Sequence, residues 1–132
     1  SDEVIDSWIV AMEQASSPYS LIHLRGLGGA MDRVAPDATA FAHRGYRFMV
    51  SLIAVWLDPS QDPETHRAWV AAAWEKTRHE GSGAYVNFLE QEGAARIADA
   101  YLPATLARLR AVKRVWDPEN VFRLNQNIAP EE

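Results

Sequence analysis

Apolar residues fall three and four apart at the start of the chain. Val4, Ile5, Trp8, Ile9 and Met12 share one face of a helix predicted over residues 2 to 15, with Asp2 placed to cap it. The stretch SSPYS then breaks the pattern. From Tyr19 the period shortens to two, so that Tyr19, Leu21, His23 and Arg25 point to one side and Ser20, Ile22 and Leu24 to the other, as in a strand ending at GLGG. Residues 30 to 45 keep no sustained period and read as a connection with one short element at most. Residues 46 to 57 are rich in β-branched and aromatic side chains and apolar on both faces at their centre, which predicts a central strand.

The next stretch, DPSQDPETHRAW, supplies a stop and a start: Asp62 is placed as N-cap and Pro63 at the first helical position. His66, Trp69, Val70, Ala73, Trp74 and Thr77 mark one face of the helix that follows, predicted to run to His79. HEGSG ends it. Residues 84 to 89 (AYVNFL) predict a short strand with Tyr85, Asn87 and Leu89 on one side. A helical region from Glu90 must divide at Pro103, because proline removes a backbone donor and clashes with the preceding turn. Its second helix carries Leu106, Leu109, Val112 and Trp116 as a stripe expected to be buried. At least three strands and about four helices without regular β-α-β alternation predict an α+β fold, an antiparallel β-sheet with helices packed on one face.

The totals narrow the function. A length of 132 residues with 48% hydrophobic content suits one globular domain with a buried core. The net charge of -5 opposes a nucleic-acid surface, which needs a concentrated basic face. The absence of cysteine removes disulfides, thiolate nucleophiles and zinc-thiolate sites. No apolar run approaches the roughly 20 residues of a membrane span, and SDEVIDSW lacks the features of a signal peptide, so the expected location is the cytoplasm.

Candidate chemistry is sparse. GLGGA has the glycines of a phosphate loop, but Met31 stands where a dinucleotide fingerprint needs glycine and no Lys-Ser/Thr follows, so a plain turn is expected. The four histidines, His23, His43, His66 and His79, form no metal-ligand pattern, and no metal is expected. His66 reads as core or rim, and His79 suits a helix C-terminus. His23, Arg25 and Tyr19 on one strand face fit either a pocket or a solvated surface. Tyr85 and Asn87 fit either the wet side of an edge strand or a pair that orients and deprotonates a substrate hydroxyl.

YVNF, followed by a helical region and RLRAVKRVWDPENVFRLNQNI, resembles the C-terminal signature of the berberine bridge enzyme-like family of FAD-linked oxidases. The upstream LRGLGGAMDRVAPDATAFAHRGYRFMVSLIAVW is similar to the substrate-domain segment that precedes that signature in bacterial members, so the resemblance covers roughly residues 19 to 129. The tail phrase DPxNxF followed by amides is its specific part. What it implies is a two-domain flavoprotein whose FAD-binding domain lies N-terminal to these residues and holds most of the FAD. Residues 1 to 115 would be a partial substrate-binding domain. Residues 116 to 132 would be a return segment against the missing FAD-binding domain, unless Val121, Phe122, Leu124 and Ile128 simply cap this chain's own core.

By the same resemblance Tyr85 would be catalytic, taking the substrate hydroxyl proton as hydride leaves for the flavin N5. Asn87 would orient the substrate, His23 and Arg25 would lie on the substrate side, and Asn125 and Asn127 on the cofactor side. Where many relatives place an acid two or so positions beyond an aromatic, this chain has Phe88, Leu89 and Glu90, and Glu90 takes no role. The implied reaction is FAD-dependent oxidation of an alcohol, sugar or natural-product small-molecule substrate with molecular oxygen as acceptor, these residues alone being inactive. The competing reading is a free-standing binding or dimerisation module without catalysis. A homodimer through the sheet face is expected under both, because a broad semi-apolar face seldom stays bare.

Overall fold

The computed structural model describes residues 1–90 and 92–130. The chain forms two compact units, residues 1–26 with 48–82 and residues 27–47 with 83–132.

The first unit holds helix α1 (Asp2–Glu13), strands β1 (Leu21–Gly26) and β2 (Phe48–Ile53), and helix α2 (Pro63–Thr77). The fold class is α+β, with an antiparallel sheet. Leu21 pairs with Ile53 and each later residue of β1 with the preceding one of β2, ending at Gly26 with Phe48. This register puts Leu21, His23, Arg25, Met49, Ser51 and Ile53 on one face of the sheet. Ile22 and Leu24 on the other face meet Ile5, Trp8, Ile9 and Met12 of α1. Helix α2 packs against α1 and β2.

The core of this unit consists of Val4, Ala11, His66, Trp69, Ala73 and Thr77. Trp69 spans the helix pair: its indole Nε1 donates at 2.8 Å to the carbonyl of Ala11, which also accepts from the Gln14 amide at 3.2 Å at the end of α1. The SSPYS break is an anchor. Ser17 Oγ donates to the Val55 carbonyl and Ser20 Oγ accepts from the Val55 amide at 3.4 Å, tying the entry of β1 to the exit of β2.

Helix α2 starts as its sequence demands. Asp62 is the N-cap, its side chain accepting from the Glu64 amide at 3.0 Å, and Pro63 occupies the first turn where its missing N–H costs nothing. It ends at Thr77 and tightens into a 3-10 turn, Arg78–Glu80. For α1 the expected Asp2 cap is corrected: Asp2 lies inside the first turn, and Ser1 holds the cap position with its hydroxyl on Glu80 Oε1 at 3.2 Å instead.

The second unit contains a 3-10 turn at Met31–Arg33, another at Val86–Phe88, and helices α3 (Ala94–Ala98) and α4 (Pro103–Trp116). Four expectations fail. Residues 84 to 89 are not a strand: Phe88 N bonds to Tyr85 O at 2.9 Å and Leu89 N to Val86 O at 3.4 Å, and these i to i+3 bonds curl the segment. Among the described residues β2 therefore pairs with β1 alone, and it is not a central strand. The helix expected from Glu90 begins only at Ala94, and Gln91 lies outside the described residues. The α4 stripe is not buried either: Leu106 and Leu109 are half-covered, while Val112 and Trp116 are exposed.

Helix α4 stops at Asp117, whose carboxylate accepts from the amides of Val121 at 2.7 Å and Phe122 at 3.0 Å and from Lys113 Nζ. Lys113 also donates to the Phe122 carbonyl at 2.6 Å, and Asn120 turns the chain with φ 53. The aspartate and asparagine of DPENVF are thus the parts of a tight turn. The lysine hydrogen bond, with the two amides, outweighs partial burial and holds the Asp117 carboxyl below its usual range.

Candidate functional site

Tyr85 and Asn87 meet, by a route different from a shared strand face. Tyr85 is the last extended residue before the 3-10 turn, which swings Asn87 back so that its Nδ2 donates to the Tyr85 phenol oxygen at 2.8 Å. Asn87 is exposed and Tyr85 half-buried, so the pair stands at a surface.

Tyr85 is walled by other aromatics. Phe41 meets its ring edge-on at 5.6 Å, and Phe88 lies at 5.4 Å. Phe41 also meets His43 at 5.8 Å, and His43 meets Tyr46 at 5.7 Å. His43 Nε2 is 2.7 Å from the carbonyl of Ala84. None of Phe41, His43 or Phe88 was singled out for the site by its sequence. The contact between His43 and Ala84 spans 41 positions, and no local period reports it.

The connection that carries Phe41 and His43 is cross-braced. Arg44 donates through Nη1 to the Met31 carbonyl at 2.9 Å and through Nη2 to Thr39 Oγ1 at 2.8 Å, with its guanidinium 5.5 Å from the Phe41 ring centre. The Gly45 amide donates to Asp32 Oδ1 at 3.1 Å.

The tail amides behave differently from one another. Asn125 is exposed with φ 60, and its carbonyl accepts from the Asn127 amide at 3.0 Å. Asn127 Oδ1 is buried without a hydrogen-bond partner among the described residues. Gln126 Nε2 donates to the carbonyls of Leu89 and, at 3.3 Å, Glu90, linking the tail to the end of the Tyr85 segment. His23 and Arg25 share a face of β1, His23 opposite Ser51, and belong to the first unit, whereas the other four candidates belong to the second.

Whether these residues could hold an FAD divides by part. A pyrophosphate needs inward-pointing amides free of competing negative charge. In GLGG, Gly28 (φ 125) and Gly29 (φ 66) make the turn the sequence predicted, but an Asp32 carboxylate oxygen sits 3.4 Å from where a Gly28 Cβ would be, which disfavours an anion. The fit to a flavin ring system is better: Asn127 Oδ1, without a partner among the described residues, is an acceptor, and the Tyr85–Asn87 pair presents polar atoms at an aromatic wall. The described residues fit a surface that contacts a flavin, not a site that encloses the whole cofactor. No cluster of metal ligands occurs among them, and no helix is long and apolar enough to cross a membrane.

The model of the family described as "Berberine and berberine like" matches residues 84–129, the span that carries Tyr85, Asn87, α4 and the tail. The chain belongs to the berberine bridge enzyme-like family of FAD-linked oxidoreductases. It is 35% identical over 130 residues to the "Uncharacterized FAD-linked oxidoreductase YvdP" of Bacillus subtilis (strain 168), covering 98% of this chain and 29% of that protein. It is 34% identical to YgaK of the same organism, also described as an uncharacterized FAD-linked oxidoreductase, covering 90% of this chain and 26% of that one. Reticuline oxidase of Eschscholzia californica is 29% identical over 88% of this chain and 26% of its own length. The chain thus spans little more than a quarter of the length of these relatives.

Proposed function

We propose that the chain is the substrate-binding and catalytic part of an FAD-dependent oxidoreductase that oxidises an alcohol, sugar or natural-product carbon. The observation that carries this reading is the hydrogen-bonded Tyr85–Asn87 pair at an aromatic wall, inside the span matched by the family model. The bound cofactor would supply the two-electron acceptor, taking hydride at N5 and passing electrons on to dioxygen. The chain's own residues handle position and the proton. In this role Tyr85 acts as its phenolate, whose oxygen takes the proton of the substrate hydroxyl and becomes the phenol, while the Asn87 amide N–H donates to that oxygen throughout. His23 and Arg25 would contact substrate, and Asn125 and Asn127 the cofactor.

The remaining FAD contacts are assigned to polypeptide beyond these residues, which alone would be inactive. Two observations support a covering partner. The relatives are more than three times as long, and Trp116, Phe122 and Leu124 expose 83%, 82% and 85% of their surface. That apolar tail is assigned to contact the FAD-binding part.

The test is Tyr85→Phe in the flavin-containing protein, with peroxide release followed on a panel of aldoses and benzylic alcohols. Loss of a general base lowers kcat by about 10²–10⁴-fold, while flavin content and fold stay unchanged. A variant that keeps the parent kcat would refute the role of Tyr85. The alternative, a binding or dimerisation module without catalysis, is favoured by the apolar surface that Ile5, Ile9 and Leu24 leave exposed in the first unit. A dimer by light scattering is expected under both readings, and what marks this one is the absence of flavin from the protein carrying this chain.

A further inference from the structure

The peptide that leads into Tyr85 is held at both ends. The amide of Ala84 donates to the Asp99 carbonyl at 3.2 Å, and its carbonyl lies 2.7 Å from His43 Nε2. A carbonyl oxygen can only accept, so Nε2 carries a proton and the imidazole is fixed in that tautomer or doubly protonated.

The residue before it makes room for the same ring. A Cβ on Gly83 would fall 2.3 Å from His43 Cε1 and 2.7 Å from Nδ1, distances at which atoms overlap, and Gly83 has φ +78. Glycine is required there twice: by the left-handed backbone and by the imidazole against it. His43 is itself fixed. Its ring meets Phe41 and Tyr46 edge-on, and its neighbours Arg44 and Gly45 are tied to Met31, Thr39 and Asp32. Phe41, on the same braced connection, touches the Tyr85 ring as well.

Resting on the reading of Tyr85 as the proton acceptor, we propose that His43 is its positioning residue. His43 holds the Ala84 carbonyl with Nε2–H, fills the space over Gly83, and so fixes the direction in which Tyr85 leaves the backbone. It touches no reacting atom in this role. A misplacement of about 1 Å at a reacting group costs on the order of 10²-fold in rate, so the expected effect falls on kcat.

The test is a double-mutant cycle in the flavin-containing protein, using His43→Phe, His43→Gln, Tyr85→Phe and the His43→Phe/Tyr85→Phe pair on the same aldose and benzylic alcohol panel. His43→Phe is expected to lower kcat by roughly 10–100-fold and to change KM by less than about threefold. Glutamine, which can still donate an N–H to the Ala84 carbonyl, recovers most of that loss. On the Tyr85→Phe background His43→Phe costs nothing further, because a residue acting only through the phenol has nothing left to position. Hydrogen exchange gives a readout independent of turnover: the Ala84 amide, bonded to the Asp99 carbonyl, exchanges at least about tenfold faster in His43→Phe and not in His43→Gln.

If His43→Phe keeps kcat while Tyr85→Phe abolishes it, the positioning role is refuted and the Tyr85 reading stands. An equal loss on both backgrounds makes His43 a general structural residue and overturns the proposal. Should Tyr85→Phe itself turn over like the parent, the reading beneath fails and the proposal falls with it. Unchanged exchange at Ala84 in His43→Phe overturns the proposal whatever the kinetics.

Discussion

His66 is the most buried large side chain in the protein, with 2% of its surface exposed. Its ring stacks on Trp56 at 4.4 Å and 7° between planes, and Nδ1 shares a hydrogen bond with Ser16 Oγ at 3.0 Å. Nε2 is buried without a partner among the described residues. These three facts set two substitutions apart. His66→Phe keeps the stack and removes the orphaned nitrogen, a relief of about 1–3 kcal/mol, while losing one hydrogen bond worth about 1 kcal/mol. The lost bond leaves little behind, because Ser16 Oγ also lies 3.4 Å from Ser20 Oγ. The slightly larger phenyl ring adds packing strain of about 1 kcal/mol or more, so the net change should stay within about 1 kcal/mol of zero. His66→Ala instead removes the stacked ring and leaves a cavity between α2 and Trp56, at a cost of about 2–4 kcal/mol. Native-state hydrogen exchange of the α2 amides from Trp69 to Ala73 reads both as changes in the opening free energy of that helix. A His66→Phe variant as destabilised as His66→Ala would refute the reasoning. It would mean that Nε2 is bonded to a group outside the described residues, and that the imidazole is held by polarity more than by its stack.

Three further outcomes follow from single features. Asp62→Ala removes the α2 cap and should cost about 1 kcal/mol, seen as faster exchange confined to the first turn of α2; an unchanged first turn would show that Pro63 alone sets the start. The folded pKa of Asp117 lies below its ordinary 3.8, so the stability its carboxylate lends to the turn is present above that pH and is lost as pH falls through the lower folded value. The Val121 and Phe122 amide shifts should therefore titrate with a midpoint below 3.8, and a midpoint at or above it would contradict the hydrogen-bonded turn. Trp116→Ser in the flavin-containing protein should cost about 2 kcal/mol or more if polypeptide beyond these residues covers the indole, whereas a cost within about 0.5 kcal/mol in thermal unfolding would mean that Trp116 stays exposed there.

What the sequence made legible were the elements whose causes are local. Asp62 and Pro63 start α2 by satisfying or removing donors within one turn, and Pro103 divides α3 from α4 for the same kind of reason. The period of two along Leu21–Gly26 marks β1 as a strand, while the register it takes with β2 is a non-local matter that neither segment reports by itself. Residues 84 to 89 carry the same alternation and yet curl, because two i to i+3 bonds fit six residues as readily as a ladder does, and alternation counts side chains without reporting where the amides bond. The error reached only part of the site: Tyr85 and Asn87 are neighbours in a strand at i and i+2, and the turn joins them more closely still, by a hydrogen bond that alternate strand residues do not make.

The apolar stripe of α4 marks the opposite limit. Periodicity identifies which face of a helix avoids water, but not whether the surface that covers it belongs to the same stretch of chain. Leu106 and Leu109 find partial cover, while Val112 and Trp116 on the same stripe, with Phe122 and Leu124 beyond it, do not. The turn between them is nevertheless closely built, with Asp117 accepting from two amides and the Lys113 ammonium. A tight turn that fixes the direction of an uncovered apolar tail has a clear use if the tail docks elsewhere and little if it remains in solvent. The specificity of DPENVF as a sequence signature then has a physical source: its aspartate and asparagine set the turn, and its valine and phenylalanine are what the turn presents.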